Sequence, residues 1–347
     1  MRRFLLFVFF AAGSLLAAKA ANPDNALKIR GKYNPGHYIY VYDDIPLTEI
    51  KGHDLPGVRG IIHRYFWKQI EPRKGEYDFS AIEKHLEECH EHGKQLIVFI
   101  IDKSFTKNRS SCPDYFNSIM MHTDQGMMPH RWSDFYIERL QALTDALGAT
   151  FDRHPNFEGI NLQETSLAVD EKTLRAISQH PYTEKKYLKA IKRYVINTQK
   201  SLPNSRVFWF QNFLASGGNV PHTMPQAFVP YKIVMGGPDV LPARRAHVKS
   251  VYPKYELYKG KLPLCCSMQP PSYHTNRYDY NNRMPHNHRT DCGFTPMEEL
   301  FLFARDTLHC NYIFWTYAYV DGPEPNGGSN TFNDALEVIA KHPVFNR

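Results

Sequence analysis

Short apolar runs alternate with amphipathic segments along the whole chain. Eight of these runs consist mainly of apolar or β-branched residues and are bounded by turn formers, which predicts strands buried on both faces. They cover residues 36–44, 58–67, 94–102, 157–166, 205–213, 231–240, 262–271 and 311–319. Strands of this kind are typical of a sheet that helices cover on both sides.

Helical periodicity fills most of the intervals between these runs. Residues 79–93 place Ile82, Leu86 and Cys89 at helical spacing, with Ser80 as the expected N-cap. Further helical patterns cover residues 132–154, 183–203, 295–309 and 331–342. Eight strands alternating with helices predict the α/β class, as a single-domain (β/α)8 TIM barrel. No Gly-rich phosphate fingerprint follows the first strand, so no dinucleotide or other cofactor is expected.

The first twenty residues do not belong to this pattern. The stretch MRRFLLFVFFAAGSLLAAKA has two arginines, an apolar run and the small-residue ending Ala18-Lys19-Ala20. This is typical of a secretory signal peptide cleaved after Ala20, and the apolar run is short for a membrane anchor. We therefore expect a secreted or periplasmic protein whose barrel comprises residues 21–347, with no other membrane span.

Charge and composition narrow the choice of partners. The formal net charge is +7. Loss of residues 1–20 removes three cationic side chains and no acid, which lowers it to +4. No Lys/Arg-rich block occurs, so nucleic acid is a poor partner. Aromatic residues make up 14% of the chain, and exposed ones on an exported protein fit stacking against sugar rings. The sequence indicates no oligomeric state.

A barrel predicts where the chemistry lies, because active sites of this fold form at the C-terminal ends of the strands. The residues at those ends are polar, acidic or aromatic, as expected for a barrel that binds a ligand. They are Asp43, Asp44, Arg64, Trp67, Asp102, Gln163, Glu164, Gln211, Asn212, Asp239, Gln269, Tyr273, Trp315 and Tyr317.

The segment after the second strand resembles a known family. It reads RYFWKQIEPRKGEYDFSAIEKHLEECHEHGKQLIVFI, residues 64–100. This is similar to clan A glycoside hydrolases, the β-galactosidase and endoglycanase barrels. The matching positions are Trp67, Glu71, Pro72, Gly75, Tyr77, Asp78 and Phe79. The resemblance implies a (β/α)8 fold that hydrolyses O-glycosidic bonds of a poly- or oligosaccharide. Glu71 is expected to shape the loop and not to act in catalysis.

The resemblance also implies roles for three strand ends. The clan has its general acid/base Glu at the end of the fourth strand, usually after Asn, and here Glu164 follows Gln163. A Trp at the end of the eighth strand serves as a sugar platform, and Trp315 matches it. The clan's nucleophile is a Glu at the end of the seventh strand. Gln269 stands there and cannot act as a carboxylate nucleophile.

Glu164 therefore needs another carboxylate as partner, since glycoside hydrolysis generally uses two. Asp239 at the end of the sixth strand is the first candidate, followed by Asp102 on the third and by Asp43 and Asp44 on the first. The hypothesis is a hydrolase with Glu164 and Asp239 as catalytic residues. Substrate contacts are expected from Arg64, Trp67, Asp102, Gln163, Asn212, Gln269, Tyr273 and Trp315.

Other interpretations remain open at this point. Gln269 fits a barrel that has lost catalysis and only binds glycan. A polysaccharide lyase would use His274 and Tyr273 as base and acid. Glu164 could instead pair with Arg64, and Asp239 could cap a turn. The long segment 270–294 suggests a lid over the mouth, and its His-x-His pair lacks the carboxylate spacing of a metal site, so no metal is expected.

Overall fold

The structure is a computed structural model that describes residues 31–123, 126–167, 169–242, 244–273, 295–318, 320 and 330–345. The predicted signal peptide, the predicted lid from residue 274 to residue 294, and His274 lie outside the described residues.

Eight parallel strands form one closed barrel. In chain order they are β1 (Gly36–Val41), β2 (Val58–Phe66), β3 (Gln95–Ile101), β4 (Phe157–Leu162), β5 (Arg206–Phe210), β6 (Val234–Gly237), β7 (Leu264–Met268) and β8 (Tyr312–Thr316). Each strand pairs with the next in sequence, and β8 closes the ring by pairing with β1 from Gly36–Tyr312 to Tyr40–Thr316. The predicted barrel and its class are confirmed.

Helices surround the barrel, mostly where the periodicity predicted them. They are α1 (Trp67–Ile70), α2 (Ser80–Glu91), α3 (Asp134–Phe151), α4 (Glu171–Ile177), α5 (Glu184–Ser201), α6 (Arg245–Ser250), α7 (Tyr252–Tyr258), α8 (Pro270–Tyr273), α9 (Met297–Leu302) and α10 (Phe332–Lys341). Shorter 3-10 turns cover Leu47–Glu49, Asp114–Ile119 and Pro225–Tyr231, and a π-helical turn at Phe303–Thr307 extends α9. The β3–α3 connection also contains an antiparallel hairpin of Met120–Thr123 and Gly126–Pro129.

Four of the described α-helices begin at a side chain that accepts a hydrogen bond from an amide of the first turn, namely Ser133, Asp170, Thr183 and Thr331. Thr183 accepts a hydrogen bond from the Lys186 amide and so begins α5. The prediction that Ser80 caps α2 is wrong, because Ser80 is already helical. Its amide and hydroxyl both donate to Asp78 Oδ1, so the Asp side chain satisfies donors at this helix end.

The period of two along each strand separates two cores. Inward side chains fill the barrel with an apolar and aromatic cluster: Tyr38, Tyr40, Ile62, Ile97, Phe99, Ile101, Phe208, Phe210, Val234, Cys265, Tyr312 and Phe314. Outward side chains pack against the helices in a second, larger cluster. Because facing is fixed by register, only the inward residues near the C-terminal strand ends can reach the barrel mouth.

Several histidines are buried in the folded protein. Burial lowers the pKa of His37 and of His63 to about 4, and that of His247 to about 3. His37 accepts from Trp315 Nε1 through Nδ1, which leaves Nε2 to donate to the His342 carbonyl oxygen. The folded state thus holds this ring neutral.

We therefore expect stability to fall as the pH drops from about 6.5 towards 4. Unfolded histidines take up protons in that window while the folded ones do not, so each adds a slope of up to about 1.4 kcal/mol per pH unit. Urea unfolding at pH 7, 6, 5 and 4.5 measures this. The His37→Gln variant should be less stable at pH 7 and show a shallower slope; an equal slope would assign the acid sensitivity elsewhere.

Candidate active site

Side chains from three neighbouring strands converge on one carboxylate at the barrel mouth. Glu164 follows β4, and its side chain is 14% exposed. Asn212, which follows β5, donates from Nδ2 to Glu164 Oε2 at 2.6 Å. Lys103, which follows β3, places Nζ 3.6 Å from Oε1. The two predicted residues Glu164 and Asn212 are thus in direct contact, and Lys103 is a third member that the sequence analysis missed.

Asp102 lies directly beside this group but is closed to substrate. Arg131 donates to both of its carboxylate oxygens, from Nη2 at 2.6 Å and from Nε at 2.9 Å. The Tyr136 hydroxyl donates to Oδ2 at 2.6 Å, and the Asp102 side chain is only 2% exposed. The predictions that Asp102 binds substrate, or serves as the second carboxylate, are therefore wrong. The Asp102 charge is neutralised by Arg131 within the folded scaffold.

Arg131 also connects this buried pair to the end of β4. Its Nη1 donates to the Glu164 carbonyl oxygen at 2.7 Å. Burial opposes the charge of Arg131, but Asp102 and the neighbouring phenols more than offset this and raise its pKa. The guanidinium is therefore a fixed cation that ties the end of β3 to the end of β4.

Lys103 is enclosed almost completely. Its side chain is 3% exposed, and Nζ donates to the Ser166 carbonyl oxygen at 3.2 Å. The Phe105 ring centroid lies 4.5 Å from the same nitrogen. Burial lowers the pKa of Lys103, while the charge of Glu164 acts in the opposite direction. A lysine in a polar loop after a strand normally indicates a solvated side chain, so the sequence carried no signal for this contact.

The inner wall below the mouth changes from apolar to polar. Asn161 lies in register with Phe99 and Phe208, Ser267 with Phe314, and Thr316 with Tyr40, so all three face inward. Each is fully buried, and Asn161 Oδ1, Ser267 Oγ and Thr316 Oγ1 have no hydrogen-bond partner among the described residues. Gln163 Oε1 is in the same situation. These enclosed polar atoms make the lining below the mouth polar, and buried groups of this kind normally bind ordered water.

Arg64 lies on the β2 side of the same mouth. Its Nε donates to the Tyr40 hydroxyl at 2.7 Å, and its guanidinium is 3.8 Å from the Tyr42 ring centroid. Burial raises the pKa of Tyr40, and the Glu164 charge adds to that effect. Arg64 is thus oriented by two tyrosines, and one of them, Tyr40, lies within electrostatic range of the Glu164 carboxylate.

Asp239 is the best-placed remaining acid of those predicted. It follows β6, its side chain is 15% exposed, and Oδ2 lies 3.7 Å from Arg244 Nη1. Asp43 and Asp44 are both exposed at the end of β1. His85 Nε2 lies 3.1 Å from Asp44 Oδ1 and belongs to α2 on the outer side of the barrel wall.

Three predicted substrate contacts are buried where no substrate can reach them. Trp67 is fully buried and donates to Glu71 Oε2, which makes Glu71 part of the loop scaffold. Trp315 is also fully buried, because Phe314 and Thr316 take the inward positions of β8 and turn it towards the helices. Tyr273 is buried and donates to the Thr316 carbonyl oxygen at 3.0 Å. We correct these three assignments.

The remaining two predicted residues stay at the strand ends. Gln163 and Gln269 are partly buried, directly after β4 and β7.

Within the described parts of the chain, no group of three or more His, Cys, Asp or Glu side chains could hold a metal ion. None of the described helices is long and apolar enough to cross a membrane.

The buried contacts of Asp102 with Arg131 and Tyr136 should contribute strongly to the free energy of unfolding. Asp102→Asn removes one charge and leaves Arg131 buried without its partner, so we expect a loss of about 3–5 kcal/mol in the free energy of unfolding. Chemical denaturation at pH 7 measures it. The matched control is Glu76→Gln, which breaks an ion pair with Arg73 whose side chains are 62% and 79% exposed. That variant should change the free energy of unfolding by less than about 0.5 kcal/mol. If Asp102→Asn and Glu76→Gln have equal effects, the Asp102–Arg131 pair does not stabilise the fold as proposed.

Comparisons with known proteins agree with this architecture. No protein-family model matches the chain, and no curated protein matches it in sequence. Among solved structures it is similar to the β-amylase catalytic domain of Paenibacillus polymyxa, at 10% identity and a TM-score of 0.60 over 90% of this chain and 100% of that one. It is also similar to a β-galactosidase from the psychrophilic Marinomonas ef1, at 11% identity and a TM-score of 0.55. That match covers 87% of this chain but 58% of the β-galactosidase.

A third similar structure is a family 39 glycoside hydrolase from Bacteroides cellulosilyticus, at 12% identity and a TM-score of 0.51 over 88% of this chain and 63% of that one. These identities are low, so the likeness establishes the fold. The chain has the (β/α)8 barrel found in glycoside hydrolases, as the resemblance of residues 64–100 predicted.

Proposed function

We propose that this protein is an exported glycoside hydrolase that cleaves O-glycosidic bonds of a poly- or oligosaccharide. The observation that carries the proposal is the partly exposed Glu164 carboxylate, which Asn212 and Lys103 hold at the C-terminal strand ends. In a TIM barrel this is where catalysis occurs. The leader at residues 1–20 supports export.

Glu164 acts in this proposal as general acid/base, and Asp239 supplies the second carboxylate. Both are partly exposed, whereas Asp102 is sealed by Arg131 and Tyr136. Asn212 and Arg64 would hydrogen-bond sugar hydroxyls beside Glu164. The amide Gln269 at the end of β7 leaves catalysis dependent on Asp239, since an amide forms no glycosyl ester.

Phe105 supplies the aromatic surface that Trp315 cannot. Its side chain is 49% exposed, and one face lies over Lys103 Nζ at 4.5 Å. Lys103 Nζ is in turn 3.6 Å from Glu164 Oε1. The ring is thus one side chain removed from the carboxylate, which is a suitable place for the apolar face of a sugar to stack.

A glycan-binding barrel without catalysis is the second candidate. Two observations favour it. Gln269 is an amide where a carboxylate is expected, and Arg244 lies 3.7 Å from Asp239, the carboxylate that would have to replace it. The lyase interpretation receives no support, since the Tyr273 hydroxyl is buried and bound to the Thr316 carbonyl oxygen.

The carboxylate assignments are tested by Glu164→Gln and Asp239→Asn. Each should lower kcat by about 100- to 10,000-fold, because proton transfer by a positioned group contributes that much. Reducing-end release from a panel of plant and algal polysaccharides measures activity, and circular dichroism verifies folding. Saturable glycan binding without release of sugar by the wild type would support the binding-only candidate. Full activity in both variants would refute this site.

The aromatic platform is tested by Phe105→Ala on whichever panel substrate is cleaved. We expect KM to rise roughly 3- to 10-fold, since aromatic stacking contributes about 0.5–1.5 kcal/mol. Leu257→Ala is the control, because Leu257 is exposed to a similar 48% but belongs to α7. The platform is refuted if both variants have the same KM as the wild type.

A further inference from the structure

Three contacts of the Lys103 ammonium favour its positive charge, whereas the neighbouring Arg131 cation opposes it. It faces the Glu164 carboxylate at 3.6 Å, the Ser166 carbonyl oxygen at 3.2 Å and the Phe105 ring at 4.5 Å. The side chain is nearly inaccessible, so water contributes little to its solvation. Loss of the proton would therefore remove one of the two groups that hold the Glu164 carboxylate.

We propose that Lys103 is a positioning residue for Glu164, which holds the carboxylate in its working orientation only while its own side chain carries a proton. This rests on the proposed function, because it assigns the residue that prepares the catalytic carboxylate. Asn212 fixes Oε2 and Lys103 fixes Oε1, so the carboxylate is held from two sides. With Lys103 neutral, the ionic attraction to Oε1 is lost and the Asn212 hydrogen bond holds the carboxylate from one side.

The charged groups around the pair make this effect specific. Asp102 and Arg131 pair with each other next to Lys103, and the charge of Arg131 lowers the pKa of Lys103 more than the charge of Asp102 raises it. The phenols of Tyr40 and Tyr187 lie near Glu164, and burial raises the pKa of both, so they stay neutral. Lys103 is therefore the group in this cluster whose charge changes first as the pH rises, because burial lowers its pKa.

The sign follows from this order. Below the pKa of Lys103 the ammonium is present and Glu164 is held; above it the ammonium is lost and the contact disappears. The proposed activity should accordingly fall on the alkaline side at a pH below the ordinary lysine range of about 10.4. The fall should appear in kcat, whereas a purely structural role would show it as unfolding.

The direct test is an NMR titration of protein labelled with 13C at lysine Cε, with the Lys103 signal assigned by its absence in Lys103→Arg. We expect its midpoint below the ordinary lysine range, and lower still in Glu164→Gln by about 1 to 3 pH units, because an adjacent carboxylate shifts a cation by that amount. Glu76→Gln, which removes an exposed carboxylate, should leave the midpoint unchanged. An ordinary midpoint, or one insensitive to Glu164→Gln, overturns the proposal.

The activity arm uses two substitutions at Lys103. Lys103→Met should lower kcat at every pH and abolish the alkaline fall, while Lys103→Arg should move that fall to higher pH because a guanidinium keeps its proton. An alkaline fall at the same pH in Lys103→Arg overturns the positioning role. If the wild type cleaves no glycan, the proposed hydrolysis fails, yet the titration still decides whether Lys103 and Glu164 are coupled.

Discussion

The ion pair between Arg131 and Asp102 is the contact on which the barrel mouth depends. Buried charges destabilise a fold unless they are paired and hydrogen-bonded, and here both carboxylate oxygens are satisfied by Arg131, with Tyr136 adding a third donor. The remaining guanidinium nitrogen donates to the Glu164 backbone. One side chain thereby fixes the ends of β3 and β4 relative to each other, which brings Lys103 to the Glu164 carboxylate.

The two carboxylates of this cluster have different roles, because Asp102 stabilises the fold and Glu164 is the proposed catalytic group. Asp102 and Glu164 lie at neighbouring strand ends and each faces a buried cation. The Asp102 contacts are short, at 2.6–2.9 Å, and sealed from water. The Glu164 contact to Lys103 is longer, at 3.6 Å, and the side chain stays 14% exposed. The looser and more accessible of the two carboxylates is the one left available to a substrate.

The sequence predicted the barrel and the convergence of Glu164 and Asn212, because parallel strand ends in this fold share one rim. It failed for Trp315, since the run 311–319 is apolar on both faces and carries no periodicity to show which residues point inward. A shift of one residue exchanges the two faces. It also missed Lys103, because Arg131 and Glu164, which lie beside it in the fold, come from distant parts of the chain.

The amide at Gln269 limits the reactions this set of residues can support. A covalent glycosyl ester on the seventh strand is excluded, because an amide is not a carboxylate nucleophile. A double displacement would need Asp239 as nucleophile, although Arg244 lies 3.7 Å from it. Direct attack by water needs a base that takes a proton from the water and an acid that protonates the leaving oxygen, and in the proposed hydrolysis Asp239 and Glu164 would fill these two roles. Single displacement forms no ester on the enzyme, so it does not require a nucleophile at the end of β7 and makes the fewest demands on these side chains.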